Sequence, residues 1–409
     1  MRRLDDLLPA EHEARAVWDF VAALDLTAWE RLVQAVEGRP GRSAIDARIL
    51  LALWVYATLQ GVGSARQLDR LCQEHHAYQW LRGGVGVNYH TLADFRSEHP
   101  ELLDDLLTRV VAALRAEGLV SLRRVAQDGL RTRADAGAAS FRRQATLQRC
   151  LQEAEAQVQA LRAEAAADPA ASQRRQQQAR QRAARERQQR VARALAHLPE
   201  VAARKKPAQR EQARASTTDP QAHVMKMADG GFRPAYNVQL ATAAGSQVVV
   251  GVAVESSGSD MGQLLPMAEQ LQRRYGEGPQ EMLADGNFAK HTDIEALSGP
   301  EHNCTVYAPV PKPRDPAQDR HAPQAGEKAG VTAWRARMGT DQAKAIYRER
   351  AATAECVNAQ ARRCGLRQVR VRGVRKVLAA ALLFALAHNV RRALALRAAA
   401  QGRVRAEQG

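Results

Sequence analysis

The 409-residue sequence is short of paired cysteines, long apolar runs and acidic side chains, and each shortage excludes a class of protein. Its five cysteines, Cys72, Cys150, Cys304, Cys356 and Cys364, form no Cys-x-x-Cys pair. An odd, scattered set argues against a disulfide framework and a zinc site and suits a reducing cytosol. The longest apolar run, Val377 to Ala387, has 11 residues. A membrane-spanning helix needs about 20, so a buried core helix is expected there and no membrane partner. The first twenty residues carry acids where a secretion signal needs an apolar stretch, so none is expected. There is no glycine-rich phosphate loop, so ATP is not implied. His223, His291 and His388 lack metal-ligand spacing and read as structural or solvent-exposed. Acids are outnumbered: 44 Asp and Glu face 60 Lys and Arg, a net charge of +16. With a pI near 10.2, this points to a polyanionic partner, nucleic acid before a membrane surface.

At roughly 150 residues per domain, the length implies two or three domains. Residues 1–119 read as helices joined by glycine turns. After Ser43, a candidate cap, Ile45, Ile49, Leu50, Leu53, Trp54 and Ala57 recur at helical spacing. Gly61 and Gly63 break that helix before a second one starts at Ser64. Such a block is compatible with a helix-turn-helix-like DNA-binding domain and equally with a plain helical bundle. A second helical region covers 141–215. Leu147, Leu151, Ala154, Val158 and Leu161 form a seam until Pro169 interrupts it. From Ala171 to Arg214 there are 13 Lys and Arg against three acids, a net of +10. This Gln-, Ala- and Arg-rich arm, including Arg174, Arg175, Arg182, Arg185, Arg204, Lys205 and Lys206, is expected to touch DNA phosphates. The alternative is a solvated arm.

Around the arm, strands alternate with helices. A first strand at 122–126 ends at Asp128, and residues 120–140 belong with the sheet. Residues 216–400 supply a half-buried strand at 236–242, a buried one at 247–254 and a helix capped by Asp260. A strand at 281–284 then ends in Asp285, and a short helix at 292–297 leads to a strand at 304–310. A long loop to Gly330, a helix at 341–363 stopped by Gly365, a strand-like segment at 368–373 and a long apolar helix from Val374 complete the domain, leaving 401–409 as a tail. Three antiparallel strands followed by helix-separated ones is the order of a ribonuclease H-like fold. The predicted architecture is therefore α/β: a mixed sheet with flanking helices, an all-helical N-terminal domain and an inserted basic helical arm. Asp128, Asp285 and Glu355 fall where that fold brings carboxylates to one end of its sheet. Three carboxylates can hold hard, oxygen-seeking cations such as Mg²⁺. An Asp before Gly is, taken singly, an ordinary turn residue; the strand order is what joins these two.

Over nearly its whole length the chain resembles the DDE-type transposases of bacterial insertion sequences. The likeness lies in Val125 to Arg143, Thr218 to Ala243, Leu283 to Leu297 and Tyr347 to Gly373. The last stretch is similar to the family's tyrosine-arginine-glutamate-lysine signature. The resemblance implies Asp128, Asp285 and Glu355 as catalytic and metal-holding residues, with two Mg²⁺ ions for which Mn²⁺ can substitute. It also implies Tyr347, Arg350 and Arg362 near DNA phosphates, a DNA-binding N-terminal domain, and partners in terminal inverted repeats and target DNA. The implied activity is cleavage at element ends and transfer of the 3′-OH into target DNA. That work needs a homodimer or larger synaptic assembly, for which the Leu147–Leu161 seam is a candidate contact. The implied location is the bacterial cytoplasm, at the nucleoid.

One spacing departs from the family pattern. Four residues, not three, separate Arg350 from Glu355, and Arg362 stands where lysine is usual. On a continuous α-helix the extra residue turns Glu355 about 80° from Tyr347. Either Tyr347 lies in the preceding loop or first turn, or Glu349 is the third carboxylate; Glu355 is favoured because it shares a face with Arg362. Asp219, before Pro220, reads as a turn residue, and His388-Asn389 as a satisfied polar pair. Two further classes remain: a decayed relative that binds DNA without cutting, and a structure-specific nuclease of the same fold.

Overall fold

The computed structural model describes residues 3–32, 44–167, 174–313, 315 and 317–408, with the side chains of Arg174 and 403–408 outside that set. Local chemistry explains the N-terminal helices α1 (Glu13–Ala22), α2 (Thr27–Glu30), α3 (Ala47–Leu59), α4 (Ala65–Glu74), α5 (His76–Leu81), α6 (Tyr89–Ser97) and α7 (Pro100–Ala116). Asp46, not Ser43, caps α3, its side chain accepting from the Arg48 amide at 2.7 Å; Ser43 lies outside the described residues. Ser64 and Asn88 cap α4 and α6, and Pro100 opens α7, where its missing N–H costs nothing. From Leu50 to Leu59, α3 is buried on every side. A helix apolar all round belongs at the centre of a core, and its neighbours pack round it.

The sheet contains β1 (Arg124–Arg133), β4 (His223–Lys226), β5 (Phe232–Ala243), β6 (Val249–Glu255), β7 (Glu281–Leu283) and β8 (Thr305–Tyr307). A two-stranded ribbon, β2 (Phe141–Arg142) with β3 (Ala215–Ser216), sits at the root of the arm. The order is β4-β5-β1-β7-β8, with β4 and β6 sharing the outer edge of β5. β1 runs antiparallel to β5 and parallel to β7, and β7 is parallel to β8. Flanking helices are α10 (Leu264–Tyr275), α11 (His291–Ser298), α12 (Ala329–Gly339), α13 (Asp341–Arg350), α14 (Cys356–Ala361) and α15 (Val374–Gln408). Both sheet and N-terminal helices contribute to one continuous apolar core.

Several expectations need correction. The first strand runs through Asp128 to Arg133, because antiparallel pairing with β5 continues after the parallel pairing with β7 has stopped. β5 is buried from Pro234 onward instead of half-buried; Asn237 and Gln239 alternate like surface residues but are bonded inside. Residues 329–339, expected as the start of a helix only at 341, already form α12. The strand-like 368–373 segment makes a single bridge, Gln368 to Arg133. Asp260 does not cap α10, whose first turn is preceded by Gln263.

The arm is a hairpin of α8 (Gln144–Ala167) and α9 (Arg174–Ala203). Leu147, Ala154 and Val158 are buried against α9, which contributes Ala184, Val191, Ala194 and Leu198. The seam expected between two copies is therefore filled by the chain itself. Pro169 and Ala171 lie outside the described residues.

α15 has the length and composition to cross a bilayer, but most of its apolar stretch is buried, packed on α3, α6, α7 and β6. Within it Asn389 bonds both backbone groups of Val249, at 2.8 Å each, completing the edge of β6. His388 Nε2 bonds the Gln247 carbonyl at 2.7 Å. Burial pushes the His388 pKa down to about 4, and that of His223 likewise. The unfolded chain protonates near 6.5 and the fold only near 4, so stability is lost as pH falls through this window. The melting midpoint should therefore drop between pH 6.5 and 4. His388→Gln should flatten part of that drop; an unchanged profile would refute the assignment.

Candidate active site

The last pairs between β1 and β7 are Val125 with Met282 and Ala126 with Leu283. Asp128 and Asp285 each follow two residues later, so register alone sets the two carboxylates side by side beyond the parallel pairing. They line one cleft of about 650 Å³, together with Asp260, Arg131, Arg133, Arg233 and Arg362. Asp285 opens a tight turn, its Oδ1 accepting from the Asn287 amide at 2.7 Å.

Asp128 is held from the opposite side. Asn358 Nδ2 donates to its Oδ2 at 2.9 Å, and Arg350 Nη2 lies 3.1 Å from its Oδ1. Arg350 is only 8% exposed, and its other terminal nitrogen donates to Glu355 Oε1 at 3.1 Å. Burial raises the pKa of Asp128 above the usual carboxylate value; Arg350 opposes the rise, and Asp285 and Asp260 add to it. For Arg350, burial works against its charge, but Asp128, Tyr347, Asp285 and Glu355 outweigh it and leave its pKa raised.

Glu355 reaches Arg350 by an irregularity of the helix. Residues Ala351–Glu355 form a π turn between α13 and α14. Such a turn absorbs one inserted residue while the helices on either side keep their facing. Tyr347 lies well inside α13, so neither a loop nor a first turn at Tyr347 accounts for the spacing; the wide turn does. Glu349 points elsewhere, to Arg124 at 2.6 Å, which also bonds Glu281. Tyr347 is half-buried beside Arg350, and burial raises its pKa. Arg362 is exposed on the cleft wall.

Asp260 and Asn358 were not foreseen. Asp260 is buried, its Oδ1 accepting from Asn237 and Gln239 at 2.7 Å each, with Arg131 4.0 Å from its other oxygen. It packs directly on Gly129; a Cβ there would meet Asp260, and Asn237 and Gln239 at 2.8 Å. The Asp128-Gly129 pair thus combines a carboxylate with the only residue small enough to admit a second one behind it. The spacing Glu355, Asn358, Arg362 was the one sequence signal available for Asn358.

The arm residues lie apart. Arg175, Arg182 and Arg185 are exposed on α9, Arg204 pairs with Glu200 at 2.7 Å, and Lys205 and Lys206 follow the helix. None of the described arm residues lines the carboxylate cleft. Arg174 has its side chain outside the described set. Asp219 is fully buried, accepting from the Tyr236 hydroxyl at 2.7 Å and the Gly373 amide at 3.1 Å, which makes it a structural staple. Among the described residues no three His, Cys, Asp or Glu stand close enough to hold a metal ion. Asp128 and Asp285 share a cleft, whereas Glu355 is held to Arg350 and is not among the cleft's lining residues.

Two family models match. One described as a transposase DDE domain covers residues 302–394, and one described as a transposase domain (DUF772) covers 2–98. Both matches are to transposase domains, and together they support a DDE-type transposase of an insertion sequence. No curated protein and no solved structure matches it. The transposase DDE match contains Tyr347, Glu349, Arg350, Glu355, Asn358 and Arg362, so the π turn lies inside it. Asp128 and Asp285 fall outside both matches, and their pairing is known from the sheet register alone. The second transposase match takes in α1 to α6.

Proposed function

We propose that this chain is a metal-dependent DNA transposase, cutting at the ends of its element and transferring the 3′-OH into target DNA. Its catalytic domain is of the ribonuclease H-like type: three antiparallel strands, β1, β5 and β6, followed by the parallel β7 and β8. The observation that carries the reading is the placement of Asp128 and Asp285, each two residues past the last pair between β1 and β7. Residues 1–119 act as the DNA-binding domain, and 141–215 as a basic arm inserted into the catalytic unit.

The donor set suits Mg²⁺ or Mn²⁺, because every candidate ligand is a hard carboxylate oxygen. Asp128, Asp285 and Glu355 would hold two such ions, with Glu355 released from Arg350. Bound there, the ions would supply charge stabilisation at the attacked phosphate and an activated water. The protein's own part is positional. Asn358 and Arg350 fix the Asp128 carboxylate, and Arg362 offers a fork suited to a phosphate on the cleft wall. Strand transfer by direct attack needs no covalent enzyme intermediate and no ATP, and both ends must be brought together by two or more copies.

The test combines a labelled terminal repeat, supercoiled target DNA and Mg²⁺. Joined products are expected. Cut but unjoined products would assign the chain to the nucleases, and shifted, intact DNA to a decayed binder. The third carboxylate has its own test. Glu355→Gln should lower joining by about 10²-fold or more, whereas Glu349→Gln should change it less than about threefold and loosen only the exposed pair with Arg124. Deleting Ala351 should convert the π turn to regular helix and preserve joining within about tenfold. Equal losses in the two glutamate variants would contradict the assignment.

A further inference from the structure

Some arginines pair with carboxylates across the fold: on α15, Arg375 pairs with Glu101, Arg391 with Glu13 and Arg397 with Glu117. Along one seam they do not. Arg133, Arg362, Arg363, Arg367 and Arg370 are all exposed, and none has an ion-pair partner among the described residues. Four of the five, Arg133, Arg362, Arg363 and Arg367, line the carboxylate cleft. The same four line a second cleft, closed on its far side by Gly61, Gly63, Ser64 and Gln67 and extended by Arg370. The two clefts are therefore one path, leading from Asp128 and Asp285 to the first turn of α4.

The path has a tightly built floor. A second π segment, Arg362–Leu366, kinks at Gly365, whose φ of 97° belongs to the left-handed region. Gly61, at φ 73°, packs against it, and a Cβ at residue 61 would lie 2.9 Å from the Arg363 carbonyl. A larger residue at 61 would push the N-terminal block off the arginine segment. The close approach fixes how DNA held by that block would be presented to the carboxylates.

Five like charges on a shared path repel one another unless a polyanion lies along it. Guanidinium forks suit phosphates by geometry, and phosphate contacts set the register of a duplex without reading its sequence. We propose that this arginine seam is a DNA-backbone track that seats a strand between the N-terminal block and the carboxylates. It rests on the DNA reading above and assigns the guiding role to the seam, not to the arm.

The test uses the full chain and a fluorescent 40-base-pair duplex of arbitrary sequence, with anisotropy followed from 50 to 200 mM salt. Replacing Arg367 and Arg370 together by Gln should weaken binding about tenfold at 100 mM and reduce the log–log salt slope by about 2, since each lost phosphate contact removes about 0.9. The double Lys variant should keep the slope. Equal losses in the Gln and Lys variants at unchanged melting temperature, or a seam variant that binds like the unaltered chain, would overturn the track while leaving the DNA reading intact. If the unaltered chain fails to bind the duplex, both fall together.

Discussion

Replacing Asp128 or Asp285 by Asn is expected to reduce joining about 10³-fold or more while leaving DNA binding and the melting temperature close to those of the unaltered chain. The size follows from the several kcal/mol that cation-held charge stabilisation supplies at a phosphate, each 1.4 kcal/mol being about tenfold. The unchanged fold follows from the local bonding. Asp285 bonds its own turn at Asn287, which an amide oxygen can also do. At residue 128 an amide oxygen can still accept from Arg350 in the place of Oδ1, so the contact that holds the fold there is kept. Joining assays beside thermal melts check both halves. A variant that loses joining by unfolding would show nothing about the site, and one that joins normally would remove that aspartate from it.

Arg350→Ala is expected to be the most damaging substitution of a residue that holds no metal. It strips the charge partner from Asp128, whose side chain is 16% exposed, so a buried carboxylate is left against Asp285 and Asp260. Removing one partner of a buried pair costs about 3 kcal/mol or more. Glu355 adds little, since its side chain is 60% exposed and its pairing is screened. The sign of the accompanying pH effect is fixed: Arg350 lowers the Asp128 pKa, so without it the pKa rises and the acid limb of activity moves to higher pH. Denaturant melts measure the first effect, and joining rates from pH 5 to 8 the second. Loss of stability with an unmoved acid limb would mean that Arg350 is structural only.

Much of this was legible in the sequence, for identifiable reasons. The strands at 249–255 and 281–283 announced themselves as apolar runs bounded by turns, and Asp285 follows two residues after the second. Asn389 read as satisfied because a polar residue in an apolar helix must find a partner, and it found the edge of β6. The arm was visible as charge, but charge does not say where an arm lies. Its seam looked like an interface because the periodicity of one helix cannot show that the next helix in the chain covers it. Asp260 was misread as a cap because only packing reveals that Gly129 leaves room for it. The extra residue before Glu355 was visible too, yet a regular helix was assumed; the π turn that absorbs it leaves both Arg350 and Asn358 in contact with Asp128.

The central claim is that Asp128 and Asp285, side by side past the pairing of β1 and β7, hold the cations that act on DNA. It is tested most directly by counting Mn²⁺ bound to the DNA complex by electron paramagnetic resonance. About two Mn²⁺ per chain are expected for the unaltered protein, with loss of at least one in Asp128→Asn and in Asp285→Asn and no change in Glu349→Gln. Undiminished Mn²⁺ in both aspartate variants would contradict the account.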